Sequence, residues 1–244
     1  MNKKTVVITG SSRGIGAATA RVFARENYNV VINYNNSVDK ATSLFEELTN
    51  ENLSVRMFKA DISNRFEASS LINFCIGEFE NIDILINNAG ISQSKLFTDL
   101  NDDDWNNMMN VNLNGVFYTT QKALQYMIPN YSGKIINISS IWGLVGGASE
   151  VHYSTSKAAL IGMTKALAKE LGPSNITVNA IAPGVIQTDM LDDIDEDVIE
   201  DLRMQTPMMK IGTPEDIAKV CLFLAKDEFM TGQVISPNGG FVVY

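Results

Sequence analysis

Apolar and polar positions along this chain fall into two alternating textures. Short runs such as Val6-Val7-Ile8, Ile84-Leu85-Ile86 and Ile135-Ile136 are apolar at successive positions, as strands are when helices cover both faces of their sheet. Runs of this kind predict strands at Thr5–Thr9, Val30–Tyr34, Val55–Ala60, Ile82–Ile86, Lys134–Ile138, Thr177–Ile181 and Gln233–Ile235. Between them apolar residues recur at helical spacing, predicting helices over Ile15–Glu26, Val38–Asn50, Arg65–Glu78, Asp103–Ile128, Tyr153–Leu171 and Pro214–Ala225. Thr213 as N-cap with Pro214 behind it marks the last start clearly. Strand and helix in turn are the signature of βαβ units and a parallel sheet. No linker, repeat or low-complexity segment interrupts the pattern, so residues 1–244 are read as one α/β domain.

Composition narrows the function classes. A net charge of −9 disfavours nucleic acid and anionic membrane surfaces as partners. Cys75 and Cys221 lie in apolar, helix-like surroundings far from the single His, so they read as reduced packing thiols and no metal site is expected. There is no apolar run of 18 residues, and Met1-Asn2-Lys3-Lys4 leads straight into a strand pattern. The expected location is therefore the cytoplasm.

Chemistry-bearing residues gather where strands end. The first strand runs into Thr9-Gly10-Ser11-Ser12-Arg13-Gly14-Ile15-Gly16, a glycine-rich turn opening a helix. Such a turn lets backbone approach a pyrophosphate whose charge meets the helix N-terminus; its G-x-x-x-G-x-G spacing is a variant of the dinucleotide fingerprint, and a plain βα turn would use the same residues. The second strand ends in Asn33-Tyr34-Asn35-Asn36-Ser37, without the carboxylate that would take an NAD ribose hydroxyl. Arg13 is the side chain able to pair a 2′-phosphate, which favours NADP(H) unless Arg13 is merely solvated. Asp61 follows the third strand and is either an adenine-recognising residue or an N-cap-like turn residue. Asn87-Asn88-Ala89-Gly90 follows the fourth and Pro183-Gly184-Val185-Ile186-Gln187-Thr188 the sixth, both at the edge where open parallel sheets bind ligands. Asn112, in the middle of a helical stretch, reads alone as structural.

The fifth strand leads to Ser140, followed by Tyr153 and Lys157. Four residues apart on a helix, Tyr153 and Lys157 share a face. An ammonium there is expected to lower the Tyr pKa toward working pH, making the phenol a proton donor for a carbonyl that receives hydride.

In this order and at these spacings, T-G-x-x-x-G-x-G, N-N-A-G, Asn112, Ser140, Y-x-x-x-K and P-G-x-x-x-T resemble the short-chain dehydrogenase/reductase family over essentially the whole chain. The resemblance implies a single-domain Rossmann fold with a doubly wound seven-stranded parallel sheet, and a catalytic set of Asn112, Ser140, Tyr153 and Lys157. Tyr153 would be the general acid and Ser140 would bond the substrate carbonyl. Lys157 would tune Tyr153 and hold the nicotinamide ribose, and Asn112 would position a relay water. The implied NADP(H) contacts are Gly10, Ser12, Arg13, Gly14, Ile15, Gly16, Asn35, Asp61, Ile62, Asn88, Gly90, Tyr153, Lys157, Pro183, Gly184, Ile186 and Thr188. A homotetramer and a substrate lid over about 187–212 are implied as well.

Within the family the chain is similar to bacterial 3-oxoacyl-(acyl carrier protein) reductases, which implies a 3-oxoacyl thioester or another ketone as substrate. Two departures stand out. Tyr131 and Ser174 occupy positions where such reductases carry basic residues that dock the carrier. The segment from Asp192 to Asp201 holds seven acidic residues in ten, which would repel carrier phosphates or simply form a solvated helix face. The stretch from Ser140 to Gly143, with Glu150 and His152 before Tyr153, is also similar to reductases of the 5-aminopentanone group on elongation factor P, whose substrate carries an amine. His152 reads as lining beside Tyr153. A catalytically silent NADP(H)-sensing or assembly protein is the non-enzyme alternative, and an intact Asn112, Ser140, Tyr153 and Lys157 set argues against it.

Overall fold

The computed structural model describes residues 3–191 and 195–243; Asp192, Asp193 and Ile194 of the acidic segment lie outside the described residues. Seven strands form one sheet: β1 (Thr5–Ile8), β2 (Asn29–Tyr34), β3 (Val55–Lys59), β4 (Ile84–Asn87), β5 (Gly133–Ile138), β6 (Ile176–Ile181) and β7 (Val234–Ile235). Their order is β3-β2-β1-β4-β5-β6-β7, every neighbouring pair parallel. Nine helices occupy the described residues: α1 (Gly14–Arg25), α2 (Val38–Asn50), α3 (Arg65–Phe79), α4 (Asp102–Met109), α5 (Gly115–Met127), α6 (Trp142–Val145), α7 (Val151–Leu171), α8 (Glu196–Gln205) and α9 (Pro214–Lys226). This is the doubly wound Rossmann arrangement that the alternation predicts.

Strand alternation builds the two cores. Val6, Ile8, Val30, Ile32, Ile84 and Ile86 face one layer, where they pack with Phe23 of α1, Leu44 and Leu48 of α2 and Ile217 and Leu224 of α9. Their neighbours Val7, Val31, Leu85, Ile135 and Val178 face the other, against Leu71 and Ile72 of α3, Met127 of α5 and Leu171 of α7. Buried on both sides, these strands are apolar at successive positions. Cys75 and Cys221 are fully buried in the same two layers, and burial pushes each thiol up to about 12.

Strand order reverses between β1 and β4, and the loops leaving them part there to open a crevice at the carboxyl edge. Buried amides brace this edge. Asn87 Nδ2 donates to Asn137 Oδ1 at 2.9 Å and to Thr120 Oγ1 at 3.1 Å, and Asn137 Nδ2 donates to Thr164 Oγ1 at 2.9 Å. The ladder thus fastens β4 and β5 to α5 and α7.

One expectation is corrected. The stretch Asp103–Ile128 is not one helix: α4 and α5 are separated by a π turn at Asn110–Asn114. Its extra residue per turn accompanies a fully buried Asn112, four residues from the buried Met108 and four from the buried Val116. The single-turn α6 was not foreseen, whereas α8, with no buried residue, is the solvated helix face offered as one reading of the acidic segment. Replacing Asn137 by Ala strips Thr164 and Asn87 of a buried partner and is expected to cost about 2–4 kcal/mol, read as a lowered midpoint in urea unfolding at unchanged slope.

Candidate active site

The glycine-rich loop is held from below. Gly10 and Gly14 take φ of +60° and +53°, the left-handed region that glycine alone enters cheaply. A Cβ on Gly10 would stand 2.7 Å from Ala89 Cα, and one on Gly16 would stand 2.6 Å from both Asn88 Nδ2 and Gly10 O. Thr9 Oγ1 accepts from the backbone N–H groups of Asn88 and Ala89, both at 3.0 Å. In return Asn88 Nδ2 donates to Thr9 O and Gly10 O, both at 2.9 Å. The expected ligand role for Asn88 is thereby corrected for its amide donors: both are spent on tying the β1 loop to the β4 loop. Thr9 and Asn33 are functional positions that motif reading missed. Asn33 Oδ1 accepts from Gly10 N at 3.0 Å, while its Nδ2 donates to Ala60 O at 3.1 Å. The available signal was an amide at the buried end of an otherwise apolar strand.

Around the loop, Ser12, Arg13 and Gly14 line a cleft of about 410 Å³ together with Asp39, Lys40 and Ser43 of α2. Ile15 lies partly buried against the core, and Asn35 is exposed at the rim. Asp61 Oδ1 accepts from Ser63 N at 2.9 Å and Ser63 Oγ at 2.7 Å, the turn-residue alternative, while its Oδ2 has no hydrogen-bond partner among the described residues. Ile62 is buried, and Gly115 of α5 closes so tightly on it that a Cβ there would stand 2.6 Å from Ile62 Cδ1.

Next along the edge, Ser140, Tyr153 and Lys157 converge. Ser140 Oγ accepts from Trp142 N at 3.1 Å, and its O–H is directed at the Tyr153 oxygen. Ser139 Oγ donates to Lys157 O at 2.8 Å, and a Cβ on Gly143 would lie 2.8 Å from the Lys157 carbonyl carbon, so α6 sits directly on the first turns of α7. The Lys157 ammonium is almost wholly buried, with Nζ donating to Ile138 O at 2.9 Å and lying 5.6 Å from the Tyr153 ring centre. Burial brings Lys157 down to about 8. Tyr153 goes the other way, pushed up to about 12 by burial, with its hydrogen bond to Ser140 opposing and the Glu150 charge adding. This corrects the expected lowering: Nζ stands over the ring, and desolvation outweighs what Ser140 gives back. The phenol is held protonated, the state an acid requires.

Asn112 is spoken for by the protein. Its Oδ1 accepts from Ile91 N at 2.9 Å, and its Nδ2 donates to Ile91 O at 2.9 Å and to Ser156 Oγ at 3.1 Å. The side chain therefore clamps the β4 loop to α7. Gly90 lies between them, where a Cβ would meet Asn112 Oδ1 and Lys157 Nζ, each at 3.2 Å.

After β6, Pro183 O accepts from Ile141 N at 3.0 Å, and Gly184 N donates to Pro237 O at 3.1 Å. Ile186 is buried and forms a parallel bridge with Gly212, so the two ends of the 187–212 excursion are pinned side by side. Thr188 packs against Gly14, its Cγ2 3.3 Å from where a Cβ would be.

Two ionisable neighbours of Tyr153 differ sharply. His152 is fully buried, so it lines no open surface. Asp104 accepts from Gln93 Nε2 at 3.1 Å, turning Gln93 Oε1 toward His152 Nε2 at 3.0 Å. The proton therefore sits on Nε2, and Nδ1 is left buried without a partner. Burial lowers the His152 pKa, which keeps the ring neutral at pH 7. Glu150 is half-buried, its carboxyl raised by burial, and it has no hydrogen bond or ion pair from its side chain among the described residues.

A buried ammonium is a cost to folding. Its drop from 10.5 to about 8 corresponds to up to about 3 kcal/mol against the charged form. Below pH 8 the side chain is charged in both states and the penalty is fully present; it fades as pH rises from about 8 toward 10.5. Lys157→Met is expected to raise the unfolding midpoint at pH 7, with the gain shrinking at pH 10, measured by calorimetry.

Comparison with known proteins places the chain. Three reductases named 3-oxoacyl-(acyl-carrier-protein) reductase FabG are similar over nearly their full lengths. That of Staphylococcus aureus strain Mu50 is 39% identical over 239 residues, 97% of each chain. That of Thermotoga maritima is 39% identical over 242 residues, 98% of each, and that of Aquifex aeolicus 42% identical over 243 residues, 97% of this chain and 96% of its own. Residues 4–199 match the short chain dehydrogenase family. With the parallel sheet, the glycine loop and the Ser140, Tyr153 and Lys157 edge already in place, the chain belongs to the short chain dehydrogenase family and is an oxidoreductase acting on CH–OH or C=O groups.

Proposed function

We propose that this protein is a cytoplasmic, NADPH-dependent carbonyl reductase of the 3-oxoacyl-(acyl carrier protein) reductase type, converting a 3-oxoacyl thioester to its 3-hydroxyacyl form in fatty-acid biosynthesis. The observation that carries the reading is a buried ammonium, Lys157, beside a buried, protonated Tyr153 that hydrogen-bonds Ser140 at the carboxyl edge. The near-full-length likeness to three reductases of that name supports the substrate class.

The residues present fit a dinucleotide. The Gly10–Gly16 turn excludes Cβ atoms where backbone must approach a ligand, and Lys157 spends one of three N–H donors on protein. Bound NADPH would supply the hydride. Gly10, Ser12, Gly14, Ile15 and Gly16 cradle its pyrophosphate, and Arg13 pairs its 2′-phosphate. Asn35, Asp61 and Ile62 border the adenosine, and Asn88, Gly90, Pro183, Gly184, Ile186 and Thr188 surround the nicotinamide end. Tyr153 gives its proton to the carbonyl oxygen as negative charge develops there, and the Ser140 O–H, which meets Tyr153 in this structure, donates to the same oxygen. Lys157 holds the ribose hydroxyls and, as a cation 5.6 Å from the ring, stabilises the phenolate left behind. Asn112 keeps the Ile91 loop and α7 in register and would position a relay water.

The excursion 187–212, pinned at the Ile186 and Gly212 bridge, acts as the substrate lid of a single 1–244 domain. The face of α7 bearing Ala158, Gly162 and Ala166 is exposed and flat, which suits close packing against other copies in a homotetramer. No helix among the described residues is long and apolar enough to cross a membrane.

A second reading is favoured by one observation. The half-buried Glu150 carboxylate, raised by burial, has no partner among the described residues, and a ketone carrying an amine, as in the 5-aminopentanone group of elongation factor P, would supply one. Tyr131, which bonds Pro173 O and accepts from Asn175 Nδ2 at 3.1 Å, makes a neutral surface where a basic carrier-docking residue would otherwise stand.

Tyr153→Phe is expected to lower kcat for NADPH oxidation with an acetoacetyl thioester by about 10²–10⁴; retained turnover refutes the mechanism. Because the Lys157 charge is present below about pH 8 and lost above it, kcat for reduction should fall as pH rises through about 8. Glu150→Gln separates the substrates: unchanged kcat/KM on the neutral thioester is expected under the first reading, and loss confined to an aminoketone under the second.

A further inference from the structure

Two cations of the glycine-loop cleft, Arg13 and Lys40, already share an anion. Asp189 Oδ2 lies 3.4 Å from Arg13 Nη1 and forms an ion pair with Lys40 Nζ. The three residues come from distant parts of the chain: the glycine-rich loop, the first turn of α2, and the segment just beyond Thr188. Their carboxylate-centred meeting therefore follows from tertiary structure and not from helix-local spacing. Both cations line the 410 Å³ cleft and are about half exposed, with side-chain exposures of 56% and 55% against 28% for Asp189. Lys40 and then Arg13 hold the Asp189 carboxyl below the usual carboxylate range.

The surroundings suit a larger anion than a carboxylate. The N-cap of α2, Ser37, makes no side-chain capping bond; Val38 N is taken by Asn36 O at 3.0 Å, which leaves the N–H groups of Asp39 and Lys40 without an acceptor among the described residues. No carboxylate ends β2 to compete; Asp39 is the acidic residue that lines the cleft itself. A phosphate dianion with three acceptor oxygens can engage two cations and a helix terminus together, whereas one carboxylate oxygen now serves both cations. Exposed ion pairs are weak, which makes the carboxylate a displaceable occupant.

We propose that Asp189 is an internal stand-in for the cofactor's 2′-phosphate, held by Arg13 and by Lys40 as a second phosphate-binding cation, and that the phosphate must displace it to bind. This rests on the NADPH reading above and goes beyond it in two respects. Lys40 joins Arg13 in choosing between NADPH and NADH. Asp189 tethers the base of the 187–212 excursion to the adenosine end, and loading there cuts the tether.

The test measures binding rather than turnover. Dissociation constants for NADPH, NADH and adenosine 2′,5′-bisphosphate are determined by calorimetry on the full chain and its variants. Asp189→Asn should tighten NADPH and the bisphosphate about three- to tenfold and leave NADH within twofold. Lys40→Gln should weaken NADPH and the bisphosphate about fivefold or more while leaving NADH unchanged. In hydrogen exchange, the Leu191 amide, which donates to Thr188 O at 2.8 Å, should lose protection when the bisphosphate binds and in unliganded Asp189→Asn. If Asp189→Asn leaves NADPH binding unchanged or weakens it, or Lys40→Gln affects both cofactors equally or neither, the stand-in is refuted. If binding responds as expected but Leu191 protection does not, the tether is refuted. Arg13→Gln separates this from the parent reading: no loss of NADPH affinity there overturns the NADPH assignment itself, whereas a loss there with silent Asp189 and Lys40 variants overturns only this proposal.

Discussion

The hydroxyl of Thr9 and the amide of Asn88 close the seam between β1 and β4, and the functional edge is laid out from that seam. Where strand order reverses, two parallel strands send their loops in opposite directions, and the last backbone groups of each would otherwise be buried without partners. Thr9 takes the two N–H groups of the β4 loop, and Asn88 takes the two carbonyls of the β1 loop. With four bonds made within the protein, the glycine-rich turn is held against Ala89 so closely that Gly10 and Gly16 cannot carry side chains. The crevice is thus preorganised, and a ligand meets a loop that need not be ordered on arrival.

The same edge carries a charge the fold would shed. Lys157 is buried with one protein hydrogen bond, and desolvation lowers it to about 8 while raising Tyr153 to about 12. Both shifts leave unused capacity: two ammonium donors and a phenolic proton. Stability given up in this way is typical of groups arranged for reaction. It is made tolerable by rigid surroundings, with Gly143 pressed on the Lys157 backbone, Asn112 joining the β4 loop to Ser156, and the amide ladder through Asn87 and Asn137 beneath.

Much of this was legible beforehand, and the illegible part has a common cause. The strand sequence and helix order follow from periodicity, since burial on two faces and on one face leave different patterns. Asn112 was placed in the site by family spacing, but the π turn that contains it was not readable, because Met108 to Leu113 fits a regular helix equally well. Asn88 was assigned to the ligand because amides at strand ends suit ligands. Whether they serve the ligand or the neighbouring loop depends on how far apart two strands stand. Nothing in the sequence links Lys40 with Asp189, and they become partners only because α2 and the segment after β6 are brought to the same point.

What the sequence alone determined, then, is the parallel sheet, the residues at its carboxyl edge, and the family to which they belong, because local periodicity and short-range spacing are written within one element or one turn. Tertiary structure decided the protonation of Tyr153, the capture of Asn88 and Asn112 by the protein, the partnerless Glu150 and the anion already seated between Arg13 and Lys40. Each of these depends on desolvation or on charges meeting across segments remote in the chain, quantities that exist only after the layers have packed.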